Sequence, residues 1–546
     1  MNIEEDIYDF IIVGAGSAGS VVANRLTEDG QYKVLCLESG TKKSDYFWSR
    51  IPAGVGKLIE NPAVNWCYSC EPDDATGQRR IEVPRGKMLG GSSSINGMVF
   101  TRGQSQDYDH WAQLGNQGWS FEDVLPFFKK MESYEGGSDE LRGRDGPLKI
   151  TDSPKLSPIF EKLIQSAINI GLNYNNDYNG SDQEGIAMTQ ATITNGRRQS
   201  TAYCYLEPAL SRPNLTLGTG ISVESLVLQK KQCVAVKYQQ GGKTKTVRAA
   251  REVILSSGSI NSPKILELSG IGQPKLLSRL GIQPEHELPG VGENLRDHYS
   301  PRMRYAISEK NATFTERGTG PQLILEALKY AIARKGFMAL STVPIRMYFR
   351  TRDGLASPDA TISFMPYLTK RARRARIISE VPGITMSVNV LRPESRGSIH
   401  IGSANSQQDP EIRFNFLSTE IDRTSLLSAI RKGRELMSAS PISEIVKEEI
   451  APGSHIQDND ELLDWVRRTA ETTYHPVGTC KMGNDPLAVV DESLKVHGIE
   501  GLRVADASIM PTLTSGNTNA PTIMIGEKCS KMLLQTAKSR SPAKEL

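Results

Sequence analysis

The glycines of GAGSAG, at Gly14, Gly16 and Gly19, have the spacing that lets a backbone close on a pyrophosphate. The first permits a tight turn, the second lets the backbone approach the phosphates, and the third lets a helix pack closely on a strand. Ser17 and Ala18 stand between the last two, at a helix start whose positive end would face the phosphates. Glu38 is placed to accept hydrogen bonds from both ribose hydroxyls. This unit suits FAD and NAD equally. His475 is a candidate of another kind, because no other of the seven histidines sits in so constrained a setting. Pro476 holds it extended, and Gly478 and Thr479 leave room beside its ring. An imidazole there can move a proton near neutral pH or serve structure alone. Asn517, in an SGN turn, can donate to an oxygen or cap a helix.

Elements must hold these groups in place. Residues 8–13 form a short, mostly apolar run without alternation, as a buried parallel strand does. A helix follows in VVANRLTE, and Lys33 to Leu37 reads as a second buried strand ending at Glu38. This is the strand–turn–helix–strand opening of a dinucleotide-binding fold. The pattern predicts helix over 104–132, an exposed loop over 135–147, and strands at 215–217, 224–228, 234–239 and 253–255. It predicts helix over 322–334, sheet-like alternation over 359–416, and helix again over 461–473, ending near Thr472 just before His475. Neither a fixed-period repeat nor a low-complexity linker appears.

At 546 residues the chain has room for more than one domain. Charged residues at 23% and hydrophobic ones at 38% describe an ordinary globular protein. A net charge of +3 points to no nucleic-acid partner. No apolar run reaches the length of a membrane span, and the acidic start lacks the pattern of a signal peptide. The expected location is cytoplasmic. Cys67 and Cys70 form a CxxC with no companion ligand pair, and Trp66 to Cys70 reads as a strand, so a zinc site is not expected.

Further segments carry a family resemblance: GKMLGGSSSIN from Gly86 to Asn96, continuing through Gly97 and Met98; GSINSPKILELSGIG from Gly258; GVGENLRDH from Gly290 to His298; HPVGTCKMG from His475; and DASIMPTLTSGNTNAPTIMIGEK from Asp506. In this order they resemble the glucose–methanol–choline (GMC) oxidoreductases, nearer the bacterial choline- and alcohol-dehydrogenase-like branch, over about Tyr8 to Lys528. The resemblance implies FAD. It places Gly90, Gly91, Ser92, Asn96, Gly97 and Met98 by the flavin and pyrophosphate, and Val223 by the adenine. It also places Asp506, Ala507, Asn517 and Thr518 at the cofactor. Some members bind the flavin covalently through a histidine just before the asparagine of this motif. Ile95 stands there instead, so the FAD is expected to be non-covalent.

The resemblance further makes His475 the catalytic base and Asn517 its partner on the substrate oxygen. The implied reaction oxidises an alcohol to an aldehyde or ketone: His475 takes the hydroxyl proton while hydride goes to flavin N5, and the electrons pass on to oxygen or a quinone. A flavin-bound lyase or a light-driven decarboxylase on the same fold is the alternative. Choline oxidisers carry a glutamate for the ammonium group, and the best alignment places Pro344 at that point with an arginine two residues later. Choline is therefore not the expected substrate. The basic run Lys370, Arg371, Arg373, Arg374 and Arg376 reads as solvated surface, or as a rim for an anionic substrate or peripheral membrane contact.

The expected fold is α/β, α+β taken as a whole, with a Rossmann-like FAD-binding domain interwoven with a substrate domain built on an antiparallel sheet with helices. The first would take 1–155, 215–297 and 470–540, the second 156–214 and 298–469, with 541–546 a tail. Oligomeric state cannot be read from the sequence.

Overall fold

The computed structural model describes residue 3 and residues 7–41, 46–372 and 375–539. Arg373 and Arg374 of the basic run, the side chains of Arg371 and Arg376, and the tail 541–546 lie outside the described residues.

The apolar run Ile7–Val13 becomes the centre of a seven-stranded sheet. It pairs in parallel with Val34–Glu38 on one side and with Lys243–Leu255 on the other. From Phe10 to Val13 both faces are covered, which is why that stretch shows no alternation. Leu215–Thr219 extends the sheet in parallel beyond Val34–Glu38. Lys243–Leu255 is long enough to serve two partners. Its first half pairs antiparallel with Gln232–Gln240, and its last residues pair in parallel with Leu502–Val504. Helices Ser17–Leu26 and Asn519–Ser539 pack together against this sheet, from opposite ends of the chain. A Cβ at Gly526 would lie 2.9 Å from the Ala18 carbonyl oxygen, so the two helices meet closely there.

A second core surrounds a six-stranded sheet in the order Val446–Ala451, Arg302–Ile307, Gly383–Val390, Ala360–Met365, Ile345–Phe349, Gly185–Met188. Every pairing in it is antiparallel. Alternation along the strands gives it two characters. Ile345, Met347, Ile362, Phe364, Met386 and Val388 face helix Glu420–Ser438 in the core. The intervening Arg346, Ser363, Ser387 and Asn389 line a cavity. The architecture is thus a Rossmann-like unit interwoven with an antiparallel sheet carrying helices on its far face.

Three local expectations are corrected. The helix over 104–132 is two helices, Ser105–Gln113 and Phe121–Met131, parted by Gly115 and Gly118 with φ of +97° and +78°. Only Glycine takes such angles without cost. The strand over Trp66 to Cys70 shrinks to Tyr68–Ser69, because Cys67 turns to a φ of +58°. The helix before His475 ends at Thr469 rather than Thr472, and Glu471–Thr472 is extended. Helix Gly320–Ala333 forms but buries none of its side chains, with Ile324 and Ile332 64% and 84% exposed. Among the described residues no helix is long and apolar enough to cross a membrane.

Candidate functional site

One cavity runs from the turn after strand Ile7–Val13 to the polar face of the six-stranded sheet. At the first end, Gly14 has a φ of +102°, and a Cβ on it would lie 2.5 Å from the Ser256 carbonyl oxygen. A Cβ on Gly16 would meet nothing nearer than 3.8 Å, because its open side is the cavity itself. Gly19 sits behind the wall, where a Cβ would lie 1.9 Å from the Gly14 carbonyl oxygen. Ser17 and Ala18 open the helix and line the cavity. A turn this open at a positive helix end could hold a diphosphate.

Glu38 ends its strand with Oε2 accepting from the Ala15 N–H (3.0 Å) and Oε1 from the Gly40 N–H (2.8 Å). Burial pushes its carboxyl up to about 7, against the pull of those amides. Both oxygens keep lone pairs for hydroxyl donors. Val223 also lines this end. Gly91, Ser92, Asn96, Gly97 and Met98 form the middle wall, whereas Gly90 does not line the cavity. A Cβ on Gly90 would instead strike Ser94 Oγ at 2.4 Å. Ile95 reaches the cavity but offers no nucleophile. Asp506, Ala507 and Thr518 line the opposite wall. The Asp506 carboxylate is already engaged by the Gly258 N–H, the Ser262 hydroxyl and the Ser508 N–H.

At the other end, pairing of Glu471–Thr472 with Tyr299–Ser300 brings His475 beside His298. Asp297 brackets both: one oxygen accepts from the His475 N–H (2.9 Å) and the His298 N–H (2.7 Å), the other from the Thr472 hydroxyl. Burial pushes the Asp297 carboxyl up to about 6.

The tautomers follow from the partners. His298 Nε2 lies 2.9 Å from the Leu391 carbonyl oxygen, an acceptor only, so Nε2 carries the proton. Burial lowers His298 to about 4, so the ring is neutral and its Nδ1 is a lone pair. That lone pair faces His475 Nδ1 at 3.0 Å and accepts its N–H. The Thr473 hydroxyl stands 2.9 Å from the same nitrogen. His475 Nε2 is therefore the free base. Burial, then His298, Arg85 and Arg346, hold His475 well below its ordinary 6.5.

Asn517 Nδ2 lies 2.9 Å from His475 Nε2, and its Oδ1 accepts from Arg346 Nη1 at 2.6 Å. Because Arg346 can only donate, this contact fixes the amide with its NH₂ toward the histidine. A hydroxyl entering here can give its proton to one group and accept from the other. The structure thus brings His475 and Asn517 together from segments 42 residues apart.

Sequence reading assigned no role to His298 or Asp297, and used Arg346 only as the arginine two residues after Pro344 that argues against choline. His298 and Asp297 stood inside GVGENLRDH, but their contact with His475 spans 177 and 178 residues. For Arg346 a signal existed. It is the charged residue among the apolar neighbours of IRMYF, where period-two alternation sends it to the opposite face from Ile345 and Met347.

The N- and C-terminal patterns described as GMC oxidoreductase match residues 8–300 and 393–526. An oxygen-dependent choline dehydrogenase of Brucella anthropi is 40% identical over 538 residues, covering 96% of this chain and 95% of the relative. Among solved structures, pyridoxine 4-oxidase from Mesorbium loti superposes with a TM-score of 0.87 at 28% identity, covering 96% of this chain and 99% of that one. Formate oxidase superposes with a TM-score of 0.90 at 26% identity, covering 98% and 99%.

Proposed function

The chain belongs to the GMC oxidoreductases, FAD-dependent enzymes acting on CH–OH donors, and within that chemistry we propose that His475 is the catalytic base and Asn517 the donor to the substrate oxygen. The observation that carries this is the 2.9 Å meeting of His475 Nε2 and Asn517 Nδ2 in a cavity continuous with the dinucleotide cradle.

The residues fit FAD. Gly14, Gly16, Ser17 and Ala18 would hold the pyrophosphate and Glu38 the ribose, with Val223 at the adenine. The flavin end would lie among Gly91, Ser92, Asn96, Gly97 and Met98 on one side and Asp506, Ala507, Asn517 and Thr518 on the other. Ile95 leaves the attachment non-covalent. Bound FAD supplies the hydride acceptor. The protein supplies the rest: Asn517 orients the alcohol oxygen, His475 Nε2 receives its proton, and His298 holds the opposite proton on His475 Nδ1. Loss of the hydroxyl proton raises electron density on oxygen, which weakens the carbinol C–H bond. The product is an aldehyde or ketone. We further place the enzyme in the cytoplasm, with oxygen or a quinone taking the electrons.

Anaerobic visible spectra with a panel of alcohols test this. An alcohol should bleach the flavin, and His475→Ala should slow bleaching by about 10²- to 10⁴-fold. Near-normal bleaching by that variant would remove His475 from its role. Readmitting air then separates an oxygen user, which recolours quickly, from a quinone user.

A further inference from the structure

We propose that the alcohol is itself an anion, carrying a carboxylate or similar oxyanion close to the carbinol carbon, and that Arg346 binds that group. This rests on the reading of His475 and Asn517 as the alcohol-binding pair.

Arg346 is 4% exposed and lines the cavity from strand Ile345–Phe349. Its Nη1 donates to Thr101 Oγ1 (3.1 Å) and Asn517 Oδ1 (2.6 Å). Its Nε is buried without a hydrogen-bond partner. Among the described residues no carboxylate comes within ion-pair distance of it. Three other deeply buried arginines are matched, Arg102 and Arg142 by Glu132 and Arg503 by Glu252. Arg198, which like Arg346 has no carboxylate partner among the described residues, is instead held by Ser49, Ser93 and Asn96 oxygens and does not line the cavity. A buried guanidinium without a counter-charge is costly to keep. Here it borders the very space where substrate must sit.

The surrounding charges do not neutralise it. Arg85, the other cation that depresses His475, spends donors on the Pro84 and Tyr474 carbonyls. Asp297 is engaged by the backbone of both histidines and by Thr472. Arg302 is matched by Glu471 at 2.7 Å. Cross-strand register sets Arg346 opposite Ser363, Ser363 opposite Ser387, and Ser387 opposite Arg302, a polar row facing the cavity. A quaternary ammonium finds no partner beside Arg346. An oxyanion finds on the cavity wall a guanidinium with no counter-charge, a group suited to paired hydrogen bonds. Because Arg346 touches Asn517, the anionic group must lie within a few bonds of the oxidised carbon.

The test uses the FAD-loaded enzyme without oxygen. Flavin reduction is followed with glycolate, lactate and 3-hydroxypropanoate, each against its primary amide, and with choline and benzyl alcohol. At least one acid should reduce the flavin with a second-order rate about tenfold or more above its amide. Arg346→Met should lower that acid-to-amide ratio by about tenfold, and Arg346→Lys should keep part of it. The ratio is the readout because losing the contact with Asn517 slows every substrate. Should the Met variant fail to fold, binding of benzoate against benzamide to the wild-type enzyme, followed by perturbation of the flavin spectrum, decides instead, with benzoate expected to bind more tightly. Amides, benzyl alcohol or choline matching or beating every acid would overturn the proposal while leaving alcohol oxidation standing, as would an unchanged ratio in Arg346→Met. Bleaching by none of these compounds would count against the alcohol-oxidation reading itself, and the proposal would fall with it.

Discussion

The hydrogen-bond chain from the Leu391 carbonyl through His298 to His475 has a direction, and that direction leaves His475 Nε2 as the lone pair facing Asn517. Two consequences can be measured. His475 sits well below 6.5, so its base form persists into mildly acid solution. The rate of flavin reduction should therefore be flat above about pH 6.5 and fall only below it. In His298→Ala the ring of His475 loses both its tautomer partner and one cause of its lowered value. Reduction should slow by on the order of tenfold or more, and the acid limb should move up toward 6.5. A slower variant whose limb stays put would show His298 to be merely structural. Local marks, a proline-locked histidine and a turn asparagine, made His475 and Asn517 candidates, but only the family resemblance implied that they act as a catalytic pair. His298 leaves no comparable mark, because its role exists only through a contact 177 residues away.

At the scale of elements, the strand–turn–helix at the N-terminus was legible because its rules are local: a mostly apolar strand, three spaced glycines, then a helix. What local rules missed was equally physical. Gly115 and Gly118 lay inside an otherwise helical pattern and broke it. The three glycines also separate cleanly by what surrounds them. Gly14→Ala meets both a φ of +102° and a carbonyl oxygen at 2.5 Å, so it should destabilise the fold by about 1–3 kcal/mol and leave the protein colourless. Gly16→Ala meets no protein atom nearer than 3.8 Å and points its methyl into the cradle. It should melt near the wild-type apoprotein temperature yet hold FAD poorly. Melting curves of the two apoproteins, set beside flavin absorbance per protein, check the distinction. Equal melting losses in both would mean that Gly16 is a folding residue and the cradle is misplaced.

The whole molecule depends on joints between its two interwoven sheets, which no local pattern could announce. One such joint is His400, just beyond the six-stranded sheet. Its Nδ1 meets Glu267 at 2.7 Å, on the helix that follows strand Lys243–Leu255, and its Nε2 meets Glu293 at 3.2 Å. The other Glu267 oxygen accepts from the Ile401 N–H, which ties the helix to this segment twice. Burial alone would lower His400, but the two carboxylates outweigh it and raise the ring to about 9 from 6.5. A folded-state value above the unfolded one means that the folded protein binds the extra proton between these limits. The stabilisation is therefore complete below 6.5 and is lost as pH rises through about 9. His400→Gln should melt below the wild type at pH 6, and the gap should close by pH 10. Glu38 and Asp297, raised to about 7 and about 6, change stability mostly below this window and do so in both proteins, so they cancel in the comparison. A gap that stays constant from pH 6 to 10 would show that His400 holds the joint by packing and neutral hydrogen bonds rather than as a cation between two carboxylates.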